Sequence, residues 1–551
     1  MTRPLNVLLM CQGIEKGGNI APSLGLHRLK HFISERGITC HILDHDVQSP
    51  EPYLQAVSQG EYQIIGMSVS HTKMISDLDI LWEFRNAQKK SGKPCLFLGG
   101  GQEATMNYQQ WLDLGIDMVC LGFAEEALHE VCQKWSQYLE NNPNEIPISL
   151  NTIFDQTNGV AYRKDAENLV YRPLDNLTEE TFRRLSFTQV MEMDMPYTMY
   201  WDKVRRERID AFNKADFIPE TVRLYTSSHC PRKCGFCSSQ TFIPFSQEKN
   251  SPIMMLSAQE VHDLVVNHIR KYKARAFLFS DDDFPIGNKW GLERLSQLAQ
   301  LLIESKDNGQ IPKETKFFCQ NRIADYLVYD PQTKEKSVNT QLLDKVKKAG
   351  FHNLGFGVET FSEKLLKAPS INKMGVTVKD CLKVLDAVLE RDIVPQIFLI
   401  LGIPESTTDD LIQTMDTALE YIKKGCDMAV TPYMRAFPGS PMSQKEGYEV
   451  CYEKWTHPNT GETVLIADKF IPSDPKIAEV AENIEIVAQE EMERIKNREG
   501  WDKSILPKSL VGMSRFIAVA KILERDELYE KYNEYVYSSV DIKAIKAACA
   551  P

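Results

Sequence analysis

Short apolar runs alternate with stretches of helical period along most of this chain. The first run, residues 5–10, reads as a strand and is followed by Gly13, Gly17 and Gly18. A helix is expected from about Ser23, with Leu24, Leu26, Leu29, Phe32 and Ile33 on its apolar side and Gly37 as its stop. Further strands are expected at 39–43, 64–69, 94–98 and 118–121. The last leads through Gly122 into a helix carrying Glu125 and Glu126. Alternating strands and helices of this kind predict a doubly wound parallel sheet over residues 1–145, with ligands beyond the carboxyl ends of its strands.

The pattern loosens over 146–220, read as a linker. Within it, residues 160–163 and 169–172 form a small hairpin around Lys164 and Asp165, and Tyr197, Tyr200 and Trp201 serve interdomain packing. From 221 to 442 strand signals recur, at 223–226, 276–280, 316–319, 353–358, 396–401 and 429–433. Helical stretches such as 376–390 and 409–423 lie between them. Six such units predict an open, partial barrel whose polar residues at the strand ends carry function. Residues 443–551 read as a mostly helical cap. A mixed stretch at 448–468 with a turn at 458–461 comes first, and helical patterns follow from Lys476, Ser509 and Asp526.

Composition narrows the function classes. The 551 residues carry 64 basic and 76 acidic side chains, a net charge of −12, with no strongly basic run. Neutralising phosphates needs clustered Lys and Arg, so the expectation is no nucleic-acid and no membrane partner. No stretch reaches the length of a bilayer-spanning helix. With no secretory pattern at the start and thirteen cysteines, the expected location is cytoplasmic, with reduced thiols. Cys11, Cys40, Cys95, Cys120 and Cys381 lie in apolar contexts and read as core, and Cys549 stands alone near the end.

Cys230, Cys234 and Cys237 differ from these. They fall in the segment 230–237, spaced C-x3-C-x2-C directly after a strand, with Pro231 and Gly235 punctuating the loop. Soft thiolates suit zinc or iron–sulfur centres, both of which normally take four protein ligands; here a fourth cysteine is missing nearby. The spacing closely resembles that of radical S-adenosylmethionine (SAM) enzymes. The first quarter of the chain is similar to the B12-binding domain placed ahead of many of them, through residues 20–25, 66–71, 99–104, and 114–117 with 121–122. The triple glycine at 99–101 lacks the G-x-G-x-x-G spacing of a dinucleotide site. One departure stands out: the D-x-H-x-x-G motif of some B12 domains is replaced by Cys11-Gln12-Gly13-Ile14. Any cobalamin would then have its lower face met by another residue, by water or by nothing.

The resemblance implies a Rossmann-like B12-binding domain, a (β/α)6 radical SAM barrel and a helical C-terminal domain. The cofactors it implies are cobalamin, SAM and a [4Fe-4S] cluster on Cys230, Cys234 and Cys237. For SAM it points to Phe236, Asp281, Asp282, Gln320, Glu359, Gly402 and Arg435, with the turn Pro438-Gly439-Ser440 closing the barrel. For cobalamin, the places to look are Ser68, Ser70, His71, Gly99, Gly100 and Gln102. No catalytic residue is assigned. The run 281–283 offers magnesium as an alternative.

The expected function is reductive cleavage of SAM to a 5′-deoxyadenosyl radical and methylation of an unactivated carbon in a small-molecule or peptide substrate. The family implies an external electron donor such as flavodoxin or ferredoxin. An open or weakly held lower face of cobalamin suits that chemistry, by the same resemblance. The alternatives are oxidative cyclisation or ring rearrangement without methyl transfer, and a regulatory protein that binds cobalamin or SAM.

Overall fold

The computed structural model describes residues 5–12, 21–208, 218–497 and 509–538. Gly13, Ile14, Gly17, Gly18, Ile20 and Cys549 therefore lie outside the described residues.

Two sheets organise the chain. The first is built on β1 (Asn6–Cys11), β2 (Thr39–Asp44), β3 (Ile64–Ser68), β4 (Leu96–Gly100) and β5 (Met118–Cys120), all parallel. Its apolar strands are buried on both faces by flanking helices, which is why they read as near-continuous hydrophobic runs. The hairpin β6 (Val160–Arg163) and β7 (Leu169–Arg172) adds antiparallel to β5, giving the order β2-β1-β3-β4-β5-β6-β7. This corrects the reading of 146–220 as a linker. The hairpin pairs the otherwise open edge of β5, so the first sheet runs on to Arg172. Tyr197, Tyr200 and Trp201 do pack between units: the Tyr200 hydroxyl donates to Asp44 Oδ2 at 2.6 Å, and Trp201 Nε1 donates to the Thr221 carbonyl at 3.3 Å.

The second sheet comprises β8 (Thr221–Leu224), β9 (Ala276–Phe279), β10 (Lys316–Asn321), β13 (Phe351–Glu359), β14 (Val394–Gly402) and β15 (Asp427–Tyr433). They are parallel and hydrogen-bonded in chain order. A short ribbon, β11 (Leu327–Tyr329) with β12 (Lys336–Val338), interrupts the series. The sheet stays open between β8 and β15. Helix Leu510–Ile522 covers the β15 edge, where Arg515 donates to the Val430 carbonyl.

The C-terminal region departs from the helical expectation at one place. Residues 448–468, with mixed character in the sequence, contribute an antiparallel ribbon, β16 (Val450–Thr456) and β17 (Thr463–Phe470). The ribbon lies against the first domain: Trp455 Nε1 donates to Asp79 Oδ1 at 2.9 Å, and His457 packs on Trp82 with ring centroids 4.1 Å apart. Helices Pro475–Lys496, Leu510–Ile522 and Asp526–Ser538 follow and share the core of the second sheet. Among the described residues no helix is long and apolar enough to cross a membrane.

Burial in this core has a measurable consequence at His268, on helix Ala258–Tyr272. The ring is packed against Tyr197 and Tyr272, and its Nδ1 lies 2.7 Å from the Leu264 carbonyl, to which the neutral ring donates. Burial lowers its pKa from 6.5 to about 4. The unfolded chain therefore takes up the proton first on acidification. The stabilisation is complete above pH 6.5 and is lost as the pH falls from there towards 4, by at most about 3 kcal/mol. Urea titrations of the His268→Gln variant should show that this part of the acid limb has disappeared.

Candidate functional site

The three cysteines lie on the loop that leaves β8, at the carboxyl end of the second sheet. Gly235 is required there by close approach: a Cβ at this position would lie 2.1 Å from the Pro369 carbonyl oxygen and 2.6 Å from that of Ser370. Met442 N–H donates to the Gly235 carbonyl at 3.0 Å, and Thr241 Oγ1 donates to the Gly439 carbonyl at 2.9 Å, so the 438–440 turn is seated directly on the loop. All three cysteines are free and half-buried.

The acidic run after β9 splits three ways. Asp281 is buried. Its carboxylate accepts from the backbone N–H groups of Thr226 and Ser227 at 2.8 and 2.6 Å and from both hydroxyls, which ties the start of the cysteine loop to β9. Asp283 turns the other way and pairs with Arg232 Nε at 2.8 Å; Arg232 Nη2 lies 3.4 Å from Asp325. Both carboxylates are almost fully buried. Burial first, and the neighbouring Asp283 charge second, push the Asp325 carboxyl well above the usual range. Arg232 is the cation these two carboxylates share behind the cysteine loop. Asp282 is the exposed member of the run, within hydrogen-bond reach of Ser239; desolvation first, and the flanking carboxylates after it, raise its pKa. The three side chains point to different partners and do not converge as a magnesium site would require.

Glu359 ends β13 with φ 68°, a left-handed conformation unusual for a residue with a side chain. Its Oε1 is 2.7 Å from Lys373 Nζ, and both side chains are buried. Lys373 carried no signal in the sequence, because it sits in a loop with no period. Gly357 makes the pair possible: a Cβ there would lie 2.6 Å from Glu359 Oε1. Glu359 and Arg435 line one cavity of about 500 Å³ at the barrel mouth, together with Phe236, Tyr433, Phe437 and Thr72. Arg435 is committed to Asp468 at 2.5 Å. The C-terminal helices reach this cavity through Glu485 and Arg515, paired at 2.7 Å. Gln320 stands on the half-buried face of β10, outside this lining. Gly402 packs tightly against Tyr433 and Ala481, and its carbonyl accepts from Met434 N–H.

The carboxyl ends of the two sheets face each other. Ser70, His71, Gln102 and Glu103 from the first and the segment 236–239 from the second enclose a cavity of about 260 Å³, completed by Phe437. Gln102 Nε2 donates across it to Ser238 Oγ at 2.8 Å. Behind it, Ser68, Gly99 and Gly100 line an apolar slot of about 230 Å³ beside helix Leu24–Ser34, floored by further glycines. Arg28 and Glu125 pair there, Nη2 to Oε1 at 2.5 Å, which leaves Arg28 Nε and Glu125 Oε2 buried with no hydrogen-bond partner.

Residues 13–132 match the family model of the B12 binding domain, and residues 224–418 that of the radical SAM superfamily. No curated protein matches the sequence. Solved structures of radical SAM enzymes share the fold, OxsB and TsrM among them. The cobalamin-dependent S-adenosylmethionine radical enzyme OxsB, with aqua-cobalamin and SAM bound, superposes with TM-score 0.66 at 14% identity, covering 100% of this chain and 82% of that one. The radical SAM methyltransferase TsrM from Kitasatospora setae, with tryptophan substrate and a SAM analogue bound, gives TM-score 0.59 at 13% identity over 96% of this chain and 99% of that one.

A B12-binding domain joined to a radical SAM domain calls for cobalamin, SAM and a [4Fe-4S] cluster, and the residues present fit them. Three free, half-buried thiols on one loop suit a cluster. The polar barrel mouth beside them suits a zwitterionic nucleoside. A glycine-floored apolar slot with two orphaned polar atoms suits the nucleotide arm of a corrinoid. The chain belongs to the radical SAM enzymes that carry a B12-binding domain.

Proposed function

We propose that this chain methylates an unactivated carbon of a small-molecule or peptide substrate. The observation that carries the reading is the adjacency of the two chambers. The barrel-mouth cavity and the interdomain cavity share Phe236 and Phe437 as a common wall, and Thr72 of the first domain reaches into the barrel mouth. A group held by one chamber is therefore next to a carbon held in the other, which is the arrangement group transfer needs.

When bound, the cluster with SAM supplies hydrogen abstraction and cobalamin supplies a transferable methyl group. The chain's own residues orient and enclose. In this reading Cys230, Cys234 and Cys237 hold the cluster, and Asp282 and Glu359 offer carboxylates to the amino and hydroxyl groups of SAM. Phe236 packs beside the nucleoside. Ser68, Gly99 and Gly100 leave room for the cobalamin arm, and Gln102 locks the first domain to the cysteine loop. Glu485 and Arg515, brought in by the C-terminal helices, give the mouth a polar rim that contributes to substrate choice. The ribbon anchored through Trp455 holds that region against the first domain and limits water entry.

The test uses anaerobically reconstituted full-length protein with cobalamin, a reductant and SAM labelled with deuterium in its methyl group. S-adenosylhomocysteine formed together with 5′-deoxyadenosine, and label recovered in a product, is the expected result. Formation of 5′-deoxyadenosine alone in the presence of substrate would point instead to radical chemistry without methyl transfer.

A further inference from the structure

His71 stands out among the described histidines. It is 8% exposed, it lines the interdomain cavity, and neither of its ring nitrogens makes a hydrogen bond. Buried polar atoms are nearly always paired, so an imidazole with two unpaired nitrogens requires an explanation. One nitrogen has a neighbour in waiting. Glu103 Oε2 lies 3.3 Å from His71 Nδ1, off the angle of a hydrogen bond, and both side chains are 4% exposed. The other oxygen of Glu103 accepts from Asn107 Nδ2 at 3.1 Å, which fixes the carboxylate. A carboxylate facing one imidazole nitrogen, with the opposite nitrogen unpaired, is the usual arrangement of a metal-binding histidine.

A lone imidazole does not hold a free divalent ion, which needs three or four protein donors. A corrin brings four nitrogens of its own and leaves only axial positions to fill, so one histidine is enough. The sheet register favours the same assignment. Cys11, where β1 ends without a histidine, pairs with Ser68, and the loop carrying His71 leaves β3 at that level. The donor absent from the first loop is thus supplied by the adjacent one.

Resting on the cobalamin reading, we propose that His71 is the protein ligand to the lower face of the corrin cobalt, through Nε2, with Glu103 accepting from Nδ1–H. The lower face is then met by another residue, the first of the three alternatives left by the missing D-x-H-x-x-G motif. Glu103 is a positioning residue: it selects the tautomer in which Nε2 carries the lone pair.

Electron paramagnetic resonance of the full-length protein loaded with cob(II)alamin of natural isotopic abundance tests this without any substitution. One nitrogen-14 ligand splits each high-field cobalt line into three. In protein made with nitrogen-15 histidine the three lines should become two. A triplet that persists in the labelled protein would assign the axial nitrogen to the cofactor's own base, and lines with no splitting would assign water or an open face. Either result overturns the proposal and leaves the cobalamin reading standing, whereas protein that retains no corrin would overturn both. His71→Ala combined with Glu103→Gln, which avoids leaving a buried carboxylate alone, should lose the splitting and recover it on addition of imidazole. Splitting unchanged in this variant would also overturn the proposal.

Discussion

Cys234→Ala protein is expected to lose reductive cleavage of SAM completely while retaining cobalamin. The effect should exceed the about 10–100-fold loss that follows when groups supporting a metal ligand are changed, because here a ligand itself is removed. Cys234 lies on a loop shaped by backbone contacts that the substitution does not touch: the 438–440 turn on Thr241 and the approach of Gly235 to Pro369. The apolar slot of the first domain is lined by residues between Leu9 and Leu128, with Phe242 as its single contribution from the second. Iron content and 5′-deoxyadenosine formation should therefore fall together, and the corrin absorbance of protein purified with cobalamin should stay. Equal loss of iron and corrin would show that the two sites do not form independently.

The second large effect is expected at Arg232. The Arg232→Met substitution leaves Asp283 and Asp325 without the cation they share, both at 1% side-chain exposure or less. Removing one partner of a buried ion pair costs about 3–5 kcal/mol, because the remaining charge has lost both water and its partner. Urea unfolding of the variant measures this directly, and adding Asp283→Asn should restore most of the lost stability. A deficit that persists in the double variant would show that Asp283 does not carry the uncompensated charge. The cysteine loop should loosen with the ion pair, since Arg232 lies between Cys230 and Cys234.

Much of the architecture was legible without coordinates, for reasons of chain chemistry. Strands buried on both faces must be apolar throughout, so β1, β3, β4, β9, β13 and β14 announce themselves as runs bounded by Gly or charge. Helices between them show their period because one side faces a sheet. The cysteine triad is legible because metal chemistry restricts residue type and spacing together. The ribbon β16–β17 was not legible. It is exposed along much of its length, so its alternation is weak, and what holds it is contact with Asp79 and Trp82, nearly four hundred residues earlier in the chain.

The site divides in the same way. Local order alone set the thiol spacing, the acid that ends β13, the Pro-Gly-Ser turn and the glycines at the end of β4, because each of these roles is performed within a few residues of backbone. Which acid of 281–283 stays exposed was decided by the tertiary structure, since Asp281 and Asp283 are claimed by Thr226 and Arg232 on other segments. The pairing of Glu359 with Lys373 and of Arg435 with Asp468 was decided there too, as was the closure of the barrel rim by Glu485 and Arg515. Above all, only the fold turned the carboxyl ends of the two sheets towards each other and placed an unpartnered histidine between them. Burial and pairing are properties of what surrounds a residue, and the chain order of a single sequence does not contain them.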